Sequence, residues 1–353
     1  MELIRERQSV WERAATAGKP VVLYGMGDAA ARVLALLGER GIPVAGIFAS
    51  DTFCRGQNFR GYPVERLADL EARLGDFLVL ICFGVNYDEM LDHIAAIAAR
   101  HETYAPDLPV VGEELFTPAY YAAHCTRFEA AYALLADDRS REVYRDMLNY
   151  KISGKLEYLY RNFGSREEDF AAFLHFAPGE RYVDLGAYDG DTVAEFVSHC
   201  PDYGAITAFE PDPKNFRKLT AATAGLRDVR LVPKASFSRP MEATFQARGG
   251  RSSMLAETGR RLCTVSLTSV DAELAGERVD YIKMDVEGAE AETLIGCRQT
   301  IAAYRPKLSV AAYHRSEDLF RLPLLIHSLR PGYRLLLRRH KYVPAWEILL
   351  YAI

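Results

Sequence analysis

Tyr182-Val183-Asp184-Leu185-Gly186-Ala187-Tyr188-Asp189-Gly190-Asp191-Thr192 decides how the second half of this 353-residue chain folds. A short apolar run ends on a carboxylate, a turn with glycine at two positions follows, and an amphipathic helix then runs through Phe196. Gly186 and Gly190 let backbone approach a ligand where a Cβ would stand in the way, and the helix start offers free N–H groups and partial positive charge to a carboxylate. The next apolar run, residues 205–209, ends in Glu210-Pro211-Asp212. A carboxylate at that point of an α/β sheet can accept hydrogen bonds from both hydroxyls of a ribose. An adenosyl amino acid satisfies all of these groups, with its carboxylate at the helix start, its ammonium on Asp184 and its ribose on Glu210.

Two further segments extend the pattern. Val279-Asp280-Tyr281-Ile282-Lys283-Met284-Asp285-Val286-Glu287-Gly288-Ala289-Glu290 reads as a buried strand, an acidic end and a helix running to about Ile295, and Pro306 to His314 (PKLSVAAYH) as another strand. Together with DLGAYDGDT and FEPDP, these segments resemble the FkbM family of methyltransferases. The resemblance covers roughly residues 166–353, and the closing LLRRHKYVPAWEILLYAI looks like that fold's final antiparallel hairpin. It implies S-adenosylmethionine as cofactor and methylation of a hydroxyl on a sugar, glycan or related small molecule. The expected cofactor contacts are Asp184, Gly186, Ala187, Asp189, Gly190, Thr192, Glu210, Pro211, Asp212 and Asp285.

Methyl transfer requires an acceptor oxygen near the sulfonium methyl and a group that removes the hydroxyl proton. Asp285, Glu287 and His314 should all reach the carboxyl edge of the sheet, where open α/β sheets bind ligands. His314 is the expected general base, since a neutral imidazole titrates close to working pH. Glu287 and Glu290 also suit the first turn of a helix, where acidic residues complement its dipole. Asp285, Glu287 and His314 are residue types that Mg²⁺ accepts, although the chemistry does not require a metal. The polar loop Gly249-Gly250-Arg251-Ser252-Ser253-Met254 offers a guanidinium and two hydroxyls to a substrate, with Arg251, Ser252 and Ser253 the expected contacts, or is a surface turn.

The first half repeats the strand, glycine turn and helix once more. Residues 21–24, Gly25-Met26-Gly27 and a helical run over 29–37 match G-x-G-x-x-A in its structural context, and runs at 43–48 and 77–82 supply further buried strands. The expected architecture is α/β, with two Rossmann-like doubly wound sheets joined by a helical connector and a terminal hairpin on the second. Its parts are residues 1–112, a connector over 113–165, and 166–353. The first block resembles the small N-terminal Rossmann-like domains of sugar-modifying enzymes; it is either a nucleotide or nucleotide-sugar site built on Gly25, Gly27 and Asp51, or a scaffold. The alternative function is accordingly an NAD(P)- or nucleotide-sugar-binding protein with an oxidoreductase or non-catalytic role. No catalytic Tyr-Lys, Cys or His set stands beside that turn within residues 1–112.

Bulk properties narrow the classes. Hydrophobic residues make up 49% of the chain, enough to fill two cores, and the formal charge is -5 with scattered basic residues, which argues against a nucleic-acid partner. The six cysteines, Cys54, Cys82, Cys125, Cys200, Cys263 and Cys297, form no C-x-x-C pair and read as reduced thiols. No signal peptide and no run long enough to span a bilayer is present, so a cytoplasmic protein without membrane insertion is expected. Exposed Tyr120, Tyr121 and Phe128 on the connector are expected to supply a homodimer face.

Overall fold

The computed structural model describes residues 2–246, 254–255 and 262–353. Its first sheet contains β1 (Val21–Tyr24), β2 (Val44–Phe48), β3 (Asn58–Phe59), β4 (Tyr62–Glu65), β5 (Leu78–Ile81) and β6 (Glu102–Tyr104), in the order β3-β4-β2-β1-β5-β6. All neighbours run parallel except β3 and β4. Side chains alternate between faces: Leu23 and Leu80 pack with Val33 and Leu37 of helix Asp28–Glu39, while Val22 and Val79 join the cluster of Leu70 and Ile94. Both faces are thereby covered, as the uninterrupted apolar strands require.

Around the second sheet lie β7 (Arg181–Leu185), β8 (Ala205–Phe209), β9 (Val229–Val232), β10 (Ala235–Ser236), β11 (Met241–Gln246), β12 (Met254–Leu255), β13 (Leu262–Thr268), β14 (Tyr281–Met284), β15 (Lys307–Ala311), β16 (Leu335–Arg339) and β17 (Ile348–Ala352). Seven of these form the sheet β16-β17-β15-β14-β7-β8-β9, in which β17 runs antiparallel to both of its neighbours, β15 and β16, and the other pairs are parallel. Strands β10 to β13 make a separate small sheet. The chain moves outward from β7 through β8 to β9 and then returns to β14, so strand order reverses between β7 and β14. Ligands of open parallel sheets bind at the carboxyl ends of the strands flanking such a reversal.

The connector is helical, with helices Pro118–Leu134, Asp138–Ser153 and Leu156–Tyr160. Its aromatic face is not available to a second copy of the chain. Tyr120, Tyr121 and Phe128 are buried, and Phe128 packs edge-on against Phe320 of helix Asp318–Leu329 with ring centroids 4.8 Å apart. Apolar helical spacing shows that a face is covered but not by what, and here the cover is the chain's own later helix.

The same hydrophobic cluster joins Val79 and Ile94, Phe128 and Tyr144, and Leu185 and Ile282. Val85 and Val343 exchange backbone hydrogen bonds of 2.8 Å, which ties the loop after β5 to the β16–β17 loop. Arg339, fully buried, donates to the carbonyls of Leu159 and Tyr342 and pins that loop to the connector.

Candidate functional site

A cavity of about 1000 Å³ opens at the carboxyl ends of β7, β8 and β14. Gly186, Tyr188, Asp191, Thr192, Glu210, Pro211 and Asp212 line one part of it, and Asp285, Glu287, His314, Tyr342, Trp346 and Glu347 another. The glycine turn and the strand-end carboxylate therefore face a common hollow.

Glu210 is buried, and its two oxygens accept from the backbone N–H groups of Asp212 at 2.8 Å and Tyr188 at 2.9 Å. Each oxygen retains acceptor capacity for a hydroxyl. Burial pushes this carboxyl up to about 7 despite those two N–H donors. Asp212 has a local task as well, capping helix Pro213–Thr223 through the N–H groups of Lys214 and Asn215.

The structure reassigns several expected contacts. Asp184 does not reach a ligand: it is 0% exposed, lies 3.3 Å from Lys283 Nζ and accepts from Thr192 Oγ1 at 2.5 Å. Lys283 in turn donates to the Gly186 carbonyl at 2.9 Å, so the pair holds the turn from beneath. Sequence reading assigned Asp184 by its place at a strand end; the signal for its partner was a lysine inside the apolar strand Tyr281–Met284, a charge that burial leaves in need of a counter-ion. Gly186 is required for a different reason from the expected one. A Cβ there would stand 1.9 Å from the carbonyl oxygen of Asp285, at φ +81. Gly190 likewise turns at φ +94 against Leu219 and Ala222 and starts helix Asp191–His199. Ala187 is buried in the core, and Asp189 faces Lys218 at 3.8 Å. Ala187, Asp189 and Gly190 thus shape the turn without lining the cavity.

His314 follows β15 and is 1% exposed. Its Nδ1 lies 2.8 Å from Glu290 Oε1, and its Nε2 lies 3.4 Å from Asp285 Oδ1 and 3.7 Å from Glu287 Oε2. Burial lowers the ring's basicity, but the carboxylates of Glu290, Asp285 and Glu287 outweigh it and push His314 up to about 10. The ring is therefore held as imidazolium, which does not suit the expected neutral base. Asp285 and Glu287 do reach the cavity, with side chains 34% and 32% exposed. Glu287 sits at φ +52, a conformation costly for a non-glycine residue, so the surroundings impose its position. It lies ahead of helix Glu290–Gly296 rather than in its first turn, and Glu290, also 1% exposed, serves the cluster instead of the helix dipole.

Sequence reading missed the opposite wall. Asn86, Val110 and Val111 from the first half line the cavity, and Val111 donates to the His314 carbonyl at 2.9 Å. Tyr342 and Trp346, with centroids 5.4 Å apart, close over Gly84, where a Cβ would come within 2.7–2.8 Å of both rings. Glu347 beside them takes φ +63. No local pattern announces these residues, because they become neighbours only when the two halves meet.

The first glycine turn is packed by the protein itself at Gly25, whereas a Cβ on Gly27 would meet nothing within 4 Å. A Cβ on Gly25 would meet the Phe83 ring at 2.9 Å, and Gln57 donates to the Met26 sulfur at 3.1 Å. Gly27 precedes helix Asp28–Glu39 and Asp51 lies in a short 3-10 turn; neither lines the large cavity. Arg251, Ser252 and Ser253 lie outside the described residues.

Residues 184–343 match the family model described as the methyltransferase FkbM domain. Over almost its whole length the chain is similar to the crystal structure of methyltransferase FkbM from Methylobacillus flagellatus KT, with 22% sequence identity, 99% of this chain and 95% of that chain covered, and a TM-score of 0.75. The two share a fold, first half included. Aeropyrum pernix fibrillarin in complex with S-adenosyl-L-methionine overlaps 50% of this chain and 67% of its own, at 14% identity and a TM-score of 0.32. Precorrin-6y C5,15-methyltransferase from Geobacter metallireducens GS-15 overlaps 51% and 82%, at 13% and 0.34. None of the curated proteins matches the sequence. The matched residues, 184–343, cover most strands of the second sheet.

Proposed function

We propose that the protein transfers a methyl group from S-adenosylmethionine to a hydroxyl of a sugar or glycan. One observation carries the reading: Gly186, Tyr188, Asp191, Thr192 and Glu210 border a single cavity that continues, past Asp285, into a second half lined by aromatic rings and carboxylates. The residues suit the cofactor, since Glu210 keeps acceptor capacity for ribose hydroxyls and helix Asp191–His199 starts at the cavity wall. When bound, S-adenosylmethionine supplies an electrophilic methyl carbon, so that a C–O bond forms as the C–S bond breaks and S-adenosylhomocysteine leaves.

The chain's own task is to orient the acceptor and take its proton. Asp285 and Glu287 present carboxylates to the cavity and are placed for both, whereas His314, enclosed behind them, positions them as a fixed cation. Trp346 and Tyr342 give a sugar ring an apolar platform, and Glu347 and Asn86 supply polar groups beside it. Calorimetric titration of S-adenosylhomocysteine, followed by a methyl-transfer assay across glycan acceptors, tests the reading; no binding of S-adenosylhomocysteine sinks it. The acceptor half is tested separately. Trp346→Ala is expected to raise acceptor KM about tenfold, an aromatic contact being worth roughly 0.5–1.5 kcal/mol beyond its buried area. Affinity for S-adenosylhomocysteine should stay unchanged. Gly84→Ala, which displaces both rings, is expected to act in the same direction. A shift in cofactor affinity with no change in acceptor KM would place the acceptor elsewhere.

A further inference from the structure

The geometry points to Arg166 and Glu195 as the pair that receives the amino-acid end of the cofactor. This role rests on the methyltransferase reading, and it fills the place left by Asp184, which is enclosed against Lys283 and Thr192. The methionyl end of S-adenosylmethionine carries a carboxylate and an ammonium, so a site that takes it out of water has to offer one cation and one anion. One wall of the cavity does so. Arg166 and Glu195 both line it beside Tyr188, Asp191 and Thr192, with side chains 23% and 25% exposed. Arg166 precedes the residues that match the family model, 184–343.

The cavity's other cations are committed elsewhere. Lys283 is held by Asp184 and the Gly186 carbonyl, and Arg315 donates to the Gly288 carbonyl. Lys234 pairs with Glu273, Lys341 with Asp88 and Arg321 with Glu317. Arg166 is bonded instead to helix Asp191–His199, which opens from the glycine turn. Its Nε lies 2.6 Å from Glu195 Oε1 and 2.8 Å from Oε2, and its Nη2 donates to Oε2. Phe170 backs the guanidinium, with its ring centroid 5.6 Å away. The third nitrogen, Nη1, makes no hydrogen bond among the described residues, so the fork keeps a donor for a carboxylate. Glu195 oxygens keep acceptor capacity for an ammonium. Asp191 and Thr192, four and three positions earlier, share its helix face, which sets the pair directly beyond the glycine turn.

Two nucleosides probe the pair in the full chain: S-adenosylhomocysteine, and 5′-methylthioadenosine, which keeps the adenosine and sulfur but lacks the amino-acid group. Wild type is expected to bind the first more tightly. Arg166→Met should weaken S-adenosylhomocysteine about 10–100-fold, the loss of a hydrogen bond to a charged group, and leave 5′-methylthioadenosine within about twofold. Arg166→Lys, which keeps the charge without the planar fork, should recover part of that affinity. Glu195→Gln keeps the side chain's shape and should weaken S-adenosylhomocysteine about tenfold; it decides the matter if the methionine variant does not fold. Equal weakening of both nucleosides, or unchanged affinity for S-adenosylhomocysteine, would leave the pair a purely structural tie and overturn its role. A wild type that binds both nucleosides equally also overturns it and leaves the methyltransferase reading intact, whereas binding of neither sinks that reading and the pair's role with it.

Discussion

Lys283→Met is expected to lower unfolding free energy by about 3–5 kcal/mol, the cost typical of removing one partner from a buried ion pair. The lysine is the cation facing Asp184, a carboxylate with no exposure that also accepts from the Thr192 hydroxyl. Asp184→Leu should be comparably harmful, because it strands the ammonium. The double variant Asp184→Leu/Lys283→Met should recover a large part of the loss, since no uncompensated charge is left in the sheet. Denaturant unfolding of the four proteins measures the coupling. Additive losses would show that the pair does not act as a unit. The lysine also ties down the Gly186 carbonyl, so the single variant should bind S-adenosylhomocysteine more weakly even where it remains folded.

Glu210 gives the other large effect, and its sign follows from its titration. With the carboxyl at about 7 in the folded protein, the form that accepts ribose hydroxyls dominates only above that pH. Affinity for S-adenosylhomocysteine is therefore expected to fall about tenfold per pH unit below 7 and to level off above it. Binding near neutral pH should release a proton, visible as a dependence of the calorimetric heat on the buffer. Glu210→Gln should flatten the profile and weaken binding at pH 8 by roughly 10–100-fold, since a hydrogen bond to a charged group is worth about 1.5–3 kcal/mol. Stability runs the opposite way. The unfolded carboxyl titrates near its ordinary 4.5, so between about 4.5 and 7 the folded protein binds the extra proton and loses stability as pH rises. The Gln variant should lack that fall. A wild-type affinity independent of pH from 5 to 8 would remove Glu210 from the cofactor site.

Much of the framework was legible because its signals are local. Val21–Tyr24, Arg181–Leu185, Ala205–Phe209 and Tyr281–Met284 announced themselves as short apolar runs closed by glycine or acidic turns, and each is a strand of a parallel sheet. The closing hairpin was legible in the same way. The roles of charged residues were harder to read. His314 looked like a base because an isolated imidazole titrates near neutrality, yet the three carboxylates around it hold it protonated. Gly25 read either as part of a nucleotide site or as scaffold, and the Phe83 ring stands 2.9 Å from where its Cβ would be.

The amino-acid sequence by itself determined the strand, turn and helix units and the presence of Gly186 and Glu210 at the ends of neighbouring strands, because hydrophobic period and turn chemistry depend on residues a few positions apart. Only the tertiary structure decided that Asp184 belongs to Lys283, that Glu290 stands against His314, and that Asn86, Val111 and Trp346 share one wall. Charge state, burial and enclosure are set by whichever groups packing brings within a few ångströms, and those groups come from segments far apart along the chain.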